Sequence, residues 1–189
     1  MAEPSDEDLV RRYVSGDRVA FGALVERHER RVYNLAYRML GTPEDAADAT
    51  QDVFVICLRK LGGFEGRSAF TTWLHRVAAN VCYEALRRRG RESVADEGEV
   101  EPPPGPDHAE TSAAAVDVHR ALQRVPEEFR MVMILHDVQG VPYEEIAESL
   151  GAPIGTVKSR LHRGRVALAR ELRGEHREGA APSNLEETT

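Results

Sequence analysis

The segment from Thr156 to Leu172 carries side chains that are suited to contact nucleic acid. A helical period of about 3.6 residues divides it into two faces. The apolar face holds Ile154, Val157, Leu161, Leu168 and Leu172. The polar face holds Thr156, Ser159, Arg160, Arg163 and Arg170. From Thr156 to Arg173 there are six basic residues and one acidic residue, an excess that favours phosphate contact over a mixed solvated surface.

The side chains of the polar face predict different kinds of DNA contact. Arg160 and Arg163 are candidates for guanine or phosphate contact, because an arginine fork can bind guanine O6 and N7 together. Thr156 and Ser159 are candidates for phosphate contact near the helix N-terminus. Lys158 lies closer to the apolar face and is the less favoured candidate. The alternative is an ordinary helical hairpin with a solvated basic face.

A second group of side chains is suited to bind unpaired DNA. It combines the polar residues Arg67, Ser68, Thr71, Thr72, Arg76 and Asn80 with the aromatic residues Phe64, Phe70 and Trp73. Cationic, amide and aromatic groups together can receive an unstacked base and bind its exposed edge. Phe70 and Trp73 could instead be core residues, and for Trp73 we prefer the core interpretation. Asn80 and the polar loop are the better candidates for direct contact.

No arrangement in the sequence indicates catalytic chemistry. There is no phosphate-binding glycine loop, no nucleophile elbow, and no paired-carboxylate or metal-ligand spacing that a helix face does not explain better. Cys57 and Cys82 lie in apolar helical patterns and are expected to be buried thiols, with a redox switch as the alternative. A zinc site that uses His75 is disfavoured because the chain has no CxxC or CxxxH spacing. We expect a protein that is not an enzyme and that has no cofactor, metal or small-molecule substrate.

A helix-turn-helix is predicted to position the basic face. Residues 143–150 form a short helix, and Gly151 is a natural helix stop. Pro153 then turns the chain into the basic helix. In a helix-turn-helix the second helix reads bases from its N-terminal end, while the first lies across the DNA backbone.

Helical patterns dominate the whole chain, which predicts an all-α fold of two small domains. Residues 1–90 are predicted to form a bundle of about four helices. Residues 91–110 are acidic and contain four prolines, which predicts a flexible linker. Residues 111–173 form a second helical domain that includes the helix-turn-helix. Residues 174–189 are polar and are predicted to form a disordered tail.

This organisation predicts two DNA-contacting lobes on a long tether. About 20 extended linker residues reach roughly 65 Å, which is close to the rise of about 19 base pairs. The lobes could therefore sit nearly two helical turns apart on one duplex. Fusion of the lobes into a single rigid unit would contradict this expectation.

The net charge of −7 does not exclude nucleic acid, because the acidic residues are concentrated in three segments. Residues 1–8, 92–110 and 174–189 hold 15 of the 32 acidic residues and one of the 25 basic residues. The rest of the chain is therefore net positive, as a DNA-binding surface requires. The sequence has no apolar run of membrane-spanning length and no export signal, so we expect a cytoplasmic protein without membrane insertion.

Three segments together resemble the bacterial RNA polymerase sigma factors of the extracytoplasmic-function group, which belongs to the sigma-70 family. They are residues 42–54 (TPEDAADATQDVF), residues 64–80 (FEGRSAFTTWLHRVAAN) and the C-terminal helix-turn-helix, in the family's order and spacing. The resemblance extends from about Glu7 to Leu172. It implies a region 2 domain that binds the polymerase core and the minus-10 promoter element, and a region 4 domain that binds the minus-35 element.

The resemblance also implies partners and residue roles. Asp48, Gln51 and Asp52 correspond to polar positions that meet the clamp helices of the largest polymerase subunit. The loop 64–69 corresponds to the loop that holds a flipped base of the non-template minus-10 strand. A contact of region 4 with the polymerase flap and control by an anti-sigma factor are implied as well. Glu65 departs from the family, which often has arginine there, and its carboxylate lies either near the DNA strand or in solvent.

Two other classes of function are weighed against this one. An autonomous helix-turn-helix repressor or activator would bind promoter duplex without polymerase, but it leaves the N-terminal bundle without a role. An enzyme with a DNA-binding appendage would need a catalytic motif, and we find none in the sequence. We therefore predict a transcription initiation factor that loads onto RNA polymerase, directs it to promoters and aids strand opening.

Overall fold

The computed structural model describes residues 3–95 and 113–174, which are helical apart from short connections. The first module, residues 3–95, contains α1 (Asp6–Val14), α2 (Val19–Leu40), α3 (Pro43–Lys60) and α4 (Phe70–Ala95). The second module, residues 113–174, contains α5 (Ala113–Arg124), α6 (Glu127–Met133), α7 (Tyr143–Leu150) and α8 (Ile154–Leu172). A 3-10 turn, Leu61–Gly63, follows α3, and a π-helical turn, Ile134–Val138, continues α6. The prediction of an all-α fold is confirmed.

Capping residues determine where the helices of the first module begin and end. Ser5 accepts a hydrogen bond from the Asp8 backbone N–H at 3.1 Å, and the Asp8 carboxylate reaches back to the Ser5 N–H. Thr42 accepts a hydrogen bond from the Asp45 N–H at 3.2 Å, just before the proline that opens α3. Gly41 ends α2 with a φ of 94°, a conformation that glycine adopts without strain.

The first module packs its four helices around one apolar core. Side chains from every helix are fully buried there, among them Leu9, Leu24, Leu35, Met39, Val53 and Phe70. Cys57 and Cys82 belong to the same core, and burial raises the pKa of each thiol to about 12. Both cysteines are therefore buried thiols, as the apolar pattern predicted.

In the second module, α6 and α8 come very close together at Gly164. A Cβ atom added at Gly164 would lie 2.5 Å from Met133 Sδ and 3.2 Å from Phe129 Cβ. A larger residue would therefore force the neighbouring side chains to move. The sequence pattern did not single out this glycine, because its role depends on a helix about 30 positions earlier in the chain.

The predicted helix-turn-helix is formed by α7 and α8. Gly151 ends α7 with a φ of 60°, and Pro153 directly precedes α8. Val157 is buried on the inner face of α8, as predicted. Ile154 and Leu172 were also placed on that face, but they are 40% and 48% exposed because they lie in the first and last turns of the helix.

The two modules are in contact, which differs from the expectation of two separate lobes on a tether. α7 packs against α4, and α5 and α6 pack against α2. Arg130 of α6, for example, donates a hydrogen bond to the backbone carbonyl of Met39 in α2. The prediction of separate lobes is wrong for this arrangement, because the length of a linker permits separation but does not determine whether the two surfaces fit each other.

One predicted boundary also changes. α4 continues to Ala95, so the first five residues of the segment predicted as a linker are helical. The residues 91–95 (RESVA) contain neither glycine nor proline, so nothing in them stops the helix. The rest of the predicted linker, and all of the predicted tail except Gly174, lie outside the described residues.

Candidate nucleic-acid interface

The N-terminal half of α8 brings the five predicted base-reading and phosphate-binding residues together. Lys158, Ser159 and Arg163 are exposed, whereas Thr156 and Arg160 are partly buried. The Ser159 hydroxyl donates a hydrogen bond to the Thr156 backbone carbonyl at 2.9 Å. The arrangement presents hydroxyl, ammonium and guanidinium groups along two turns of one helix, which is a suitable surface for a major groove.

Arg160 is already engaged inside the molecule. Its guanidinium lies 2.9 Å from the carboxylate of Glu128 in α6, and 28% of its side chain is exposed. Arg163 lies on the next turn and is exposed. Arg163 can therefore reach DNA directly, whereas Arg160 must exchange the Glu128 carboxylate for a base or a phosphate.

Lys158 lies farther from the apolar face than the sequence pattern suggested. It is exposed, and its Nζ atom is 5.5 Å from the centroid of the Tyr143 ring. That ring stacks on His136, with 4.4 Å between the ring centroids. A cation above an aromatic face is attracted by the negative charge of the face, so Tyr143 holds the Lys158 ammonium at the surface near the start of α7.

Arg165 is a basic residue that the sequence analysis left unassigned. Its guanidinium makes two hydrogen bonds to the Asp137 carboxylate. Asp137 belongs to the π-helical turn after α6, so this ion pair joins α8 to that turn. The partners are 28 positions apart, and no short-range pattern in the sequence pairs them.

In the loop 64–69, Glu65 and Arg67 form an ion pair. Their charged atoms are 2.6 Å apart, and the side chains are 64% and 85% exposed. Gly66 between them adopts a φ of 67°. The Glu65 carboxylate thus partly neutralises the charge of Arg67, which is predicted to contact the DNA strand. Such an exposed pair stabilises little, so a DNA phosphate can compete with Glu65 for Arg67.

Phe64, Phe70 and Trp73 form an aromatic cluster beside this loop. The ring centroids are 5.4 Å apart for Phe64 and Trp73, and 5.9 Å apart for Phe70 and Trp73. Phe70 is 1% exposed and is a core residue. Phe64 and Trp73 are partly buried and pack against the core. The aromatic cluster therefore supports the loop 64–69 by apolar packing against the core.

The polar residues predicted for unpaired DNA differ in exposure. Arg76 and Asn80 are exposed, and Ser68 and Thr71 are partly exposed. Thr72 is only 1% exposed, although it lies on the same helix. Most of the predicted group is therefore accessible on one side of the first module, and Thr72 is the exception.

Helix α7 of the second module covers Thr72. The Ser149 hydroxyl donates a hydrogen bond to the Thr72 backbone carbonyl at 3.0 Å. The Arg76 guanidinium donates a hydrogen bond to the Glu148 backbone carbonyl at 2.8 Å. Part of the predicted surface for unpaired DNA is thus occupied by the helix-turn-helix.

The predicted polymerase-contacting residues form an exposed polar strip on α3. Asp48, Gln51 and Asp52 are all exposed. Ala49, which follows Asp48, and Val53, which follows Asp52, are buried in the core of the first module. The strip is therefore a rigidly supported acidic surface, suitable for a basic or amide-rich partner.

Two kinds of feature are absent from residues 3–95 and 113–174. No group of three or more His, Cys, Asp or Glu side chains in these ranges is arranged to hold a metal ion. No helix there combines the length and the apolar composition needed to cross a membrane.

Both modules match models of known protein families. Residues 24–92 match the family described as Sigma-70 region 2. Residues 115–168 match the family described as Sigma-70, region 4. The first match includes the polar strip on α3 and the loop 64–69 with its aromatic cluster. The second match includes the helix-turn-helix.

Curated relatives cover most of the chain. The ECF RNA polymerase sigma factor SigM of Mycobacterium tuberculosis H37Rv is 40% identical over 170 residues, which are 90% of this chain and 86% of that protein. SigE of Mycolicibacterium smegmatis is 37% identical, over 96% of this chain and 74% of that protein. The sigma-E factor of Escherichia coli K12 is 34% identical, over 87% of this chain and 92% of that protein.

Two solved structures are similar to both modules together. The sigma factor RpoE of Bartonella quintana, in complex with the anti-sigma factor NepR, has a TM-score of 0.70 and 27% identity. The match covers 82% of this chain and 98% of that one. CnrH, in complex with the cytosolic domain of CnrY, has a TM-score of 0.66 and 28% identity, over 90% of this chain and 99% of that one.

Proposed function

This chain belongs to the sigma-70 family, in its extracytoplasmic-function group, and we propose that its two modules divide promoter recognition between them. As a sigma factor it is not an enzyme; it binds the RNA polymerase core and directs transcription initiation at specific promoters. The proposal assigns residues 1–90 to region 2, residues 91–110 to the linker and residues 111–173 to region 4. Residues 174–189 form a C-terminal tail.

In the second module, minus-35 recognition is assigned to the N-terminal half of α8. The contact residues are Thr156, Lys158, Ser159, Arg160 and Arg163. The exposed guanidinium of Arg163 carries this assignment, because its fork is free to bind a guanine edge in the major groove. Arg160 joins the contact when DNA displaces Glu128, and α7 then lies across the backbone.

In the first module, minus-10 recognition is assigned to the loop 64–69 and the start of α4. The contact residues are Phe64, Arg67, Ser68, Thr71, Thr72, Arg76 and Asn80. Strand opening without ATP requires that binding of an extruded base offset the lost stacking, which costs a few kcal/mol. The aromatic cluster supplies a rigid apolar base for such a pocket, and Asn80 and Arg76 supply polar groups for base edges and phosphates.

Partners and location complete the proposal. Asp48, Gln51 and Asp52 of α3 bind the clamp helices of the largest polymerase subunit, and region 4 contacts the flap. The Bartonella relative is bound to an anti-sigma factor, and we assign a partner of that kind to this chain. The protein acts in the cytoplasm, where the polymerase core works.

Run-off transcription tests the assignment of α8. Purified bacterial core polymerase is supplied with a genomic promoter library and with this chain, which should yield a discrete set of transcripts. An Arg160→Ala, Arg163→Ala double variant should lose these transcripts while it still binds core in a pull-down. Arg11→Ala is the matched control, because Arg11 is an exposed arginine on α1. Full activity of the double variant, or no transcripts with the wild-type chain, would overturn the assignment.

A further inference from the structure

The loop 64–69 carries a carboxylate at the place where the proposed function brings a DNA strand. The Glu65 side chain is 64% exposed, and Glu65 directly follows Phe64 of the aromatic cluster. A carboxylate beside a phosphate backbone is repelled by it, unless hydrogen bonds to the carboxylate offset the repulsion. A strand that binds this loop must therefore supply hydrogen-bond donors to Glu65 or bear the repulsion.

The backbone of the loop holds Glu65 and Arg67 together. The Phe64 N–H donates a hydrogen bond to the Leu61 carbonyl at 3.1 Å, which anchors the start of the loop. Gly66 then adopts a φ of 67°, in the left-handed region that favours glycine. This turn brings the charged groups of Glu65 and Arg67 within 2.6 Å of each other in an exposed position.

Arg67 is the only cation among the described residues that pairs with Glu65, and DNA can remove it. The Arg67 side chain is 85% exposed, and an ion pair in such a position contributes little stability. A guanidinium binds a phosphate through two parallel N–H groups, which makes the phosphate a strong competitor. When a phosphate takes Arg67, the Glu65 carboxylate is left with two free oxygens beside the bound strand.

A carboxylate distinguishes the four bases by the Watson–Crick edge that an extruded base exposes. Its two oxygens only accept hydrogen bonds. Guanine presents the donors N1–H and N2–H side by side on this edge, so it can bind both oxygens of one carboxylate. Adenine and cytosine present one amino donor next to a ring-nitrogen acceptor, and thymine presents one N–H donor between two carbonyl oxygens. Guanine is therefore the base that a carboxylate binds best.

The aromatic cluster cannot make this selection. The rings of Phe64 and Trp73 are partly buried, with 5.4 Å between their centroids. Stacking on such rings stabilises any base, because every base has a π-face. Selection therefore depends on polar groups beside the cluster, and Glu65 is the only acidic residue in the sequence from 64 to 80.

We propose that Glu65 selects guanine in the non-template strand of the minus-10 element, by accepting hydrogen bonds from guanine N1–H and N2–H once a DNA phosphate has taken Arg67. This inference rests on the proposed role of the loop 64–69 in binding an extruded base. It goes further by naming the base and the residue that reads it. Arg67 takes part in the same step, because its transfer to the phosphate frees the carboxylate.

Run-off transcription from varied promoters tests the proposal. Purified core and the full chain transcribe a promoter identified by run-off transcription, in which each base pair of the minus-10 element is varied in turn, and the transcripts are counted by sequencing. The wild-type chain should favour guanine at one non-template position by about tenfold. Glu65→Gln should lower this preference to about twofold or less and leave the other positions unchanged, because an amide offers one acceptor and one donor group.

Glu29→Gln is the matched control, because it removes the same charge at an exposed position on α2 and should keep the wild-type preference. A guanine preference that survives Glu65→Gln would overturn the proposal, and so would a wild-type chain without a guanine preference in the element. An equal change with all four bases would mean that Glu65 acts through its charge alone, which overturns the proposal too. A wild-type chain that yields no transcripts would contradict the proposed function instead.

Base analogues test the contact atom by atom. Core with the full chain binds a fluorescent promoter DNA whose minus-10 element is unpaired and carries guanine at the selected position. Inosine lacks the N2 amino group, so it should weaken binding about fivefold with the wild-type chain and less than about twofold with Glu65→Gln. 7-Deazaguanine lacks only N7, on another edge, and should bind as guanine does. Equal losses with inosine for the two chains, or a loss with 7-deazaguanine, would overturn the proposal.

Discussion

Gly164 is the residue at which the packing of α8 on α6 is tightest. Gly164→Ala should lower the free energy of unfolding by about 1 to 3 kcal/mol, because the new Cβ would lie 2.5 Å from Met133 Sδ in a buried contact. Thermal denaturation measures the change. Gly155→Ala, also in α8, is the control: an added Cβ has no neighbour within 4 Å there, so it should be neutral or stabilise by up to about 1 kcal/mol. Equal melting temperatures for the two variants would contradict the tight contact.

The exposure of single residues in the candidate site could be predicted where it depends only on nearby residues of the same helix. Ser159 and Arg163 are exposed on α8, as helical spacing and side-chain type indicated for the DNA-facing side. The burial of Thr72 could not be predicted, because it depends on Ser149, which is 77 positions later. The same holds for the engagement of Arg160 by Glu128, since an ion pair between separate helices leaves no periodic signal.

At the scale of the element, α3 presents one acidic strip that should dock on polymerase. Asp52→Lys should weaken binding to core by roughly tenfold, because it places a cation against a surface that is complementary to a carboxylate. Biolayer interferometry with immobilised core measures the affinity. Glu29→Lys makes the same change of charge at an exposed position on α2 and should leave the affinity unchanged. Equal affinities for Asp52→Lys and Glu29→Lys would remove Asp52 from the docking surface.

Helix starts and stops were largely readable from the sequence. Thr42 followed by proline predicted the start of α3, and Gly41 and Gly151 predicted the ends of α2 and α7. These signals work because caps and left-handed glycines act within one helical turn. The π-helical turn after α6 and the extension of α4 to Ala95 were not predicted, because neither has a local breaker or cap that marks it.

At the scale of the whole molecule, folding stability should depend on pH through His75. Burial, with a smaller contribution from nearby Arg31, lowers the pKa of His75 from 6.5 to about 4. In the unfolded chain the ring returns to its ordinary value, so the folded chain binds fewer protons and loses stability as the pH falls from about 6.5 towards 4. Between pH 7 and pH 5 the free energy of unfolding should fall by about 2 kcal/mol, which urea denaturation at the two pH values would measure.

His75→Gln is the control for this pH dependence. It should reduce the loss of stability at pH 5 without abolishing it, because burial also lowers the pKa of His119, which stacks on Tyr37. A wild-type chain whose free energy of unfolding stays constant from pH 7 to pH 5 would contradict the prediction. Superimposable pH profiles for the wild-type chain and His75→Gln would remove His75 from the response.

The fold class and the order of the modules were predictable, because amphipathic periodicity and composition are properties of the sequence alone. The docking of one module on the other was not predictable. It depends on Arg130 reaching Met39 and on Gln139 reaching Arg31, across separations of 91 and 108 positions. The role of RNA polymerase as the partner came from the family resemblance, and no pattern in the sequence alone identified it.

Footprinting of a promoter complex tests the central claim most directly, namely that two modules of one chain act together on a promoter only when polymerase core is present. Core and chain together should protect the minus-35 and minus-10 regions at once and make thymines near minus-10 reactive to permanganate, and neither component alone should do so. Protection of the minus-35 region by the chain without core would contradict the account. So would a complete complex that protects only one of the two regions.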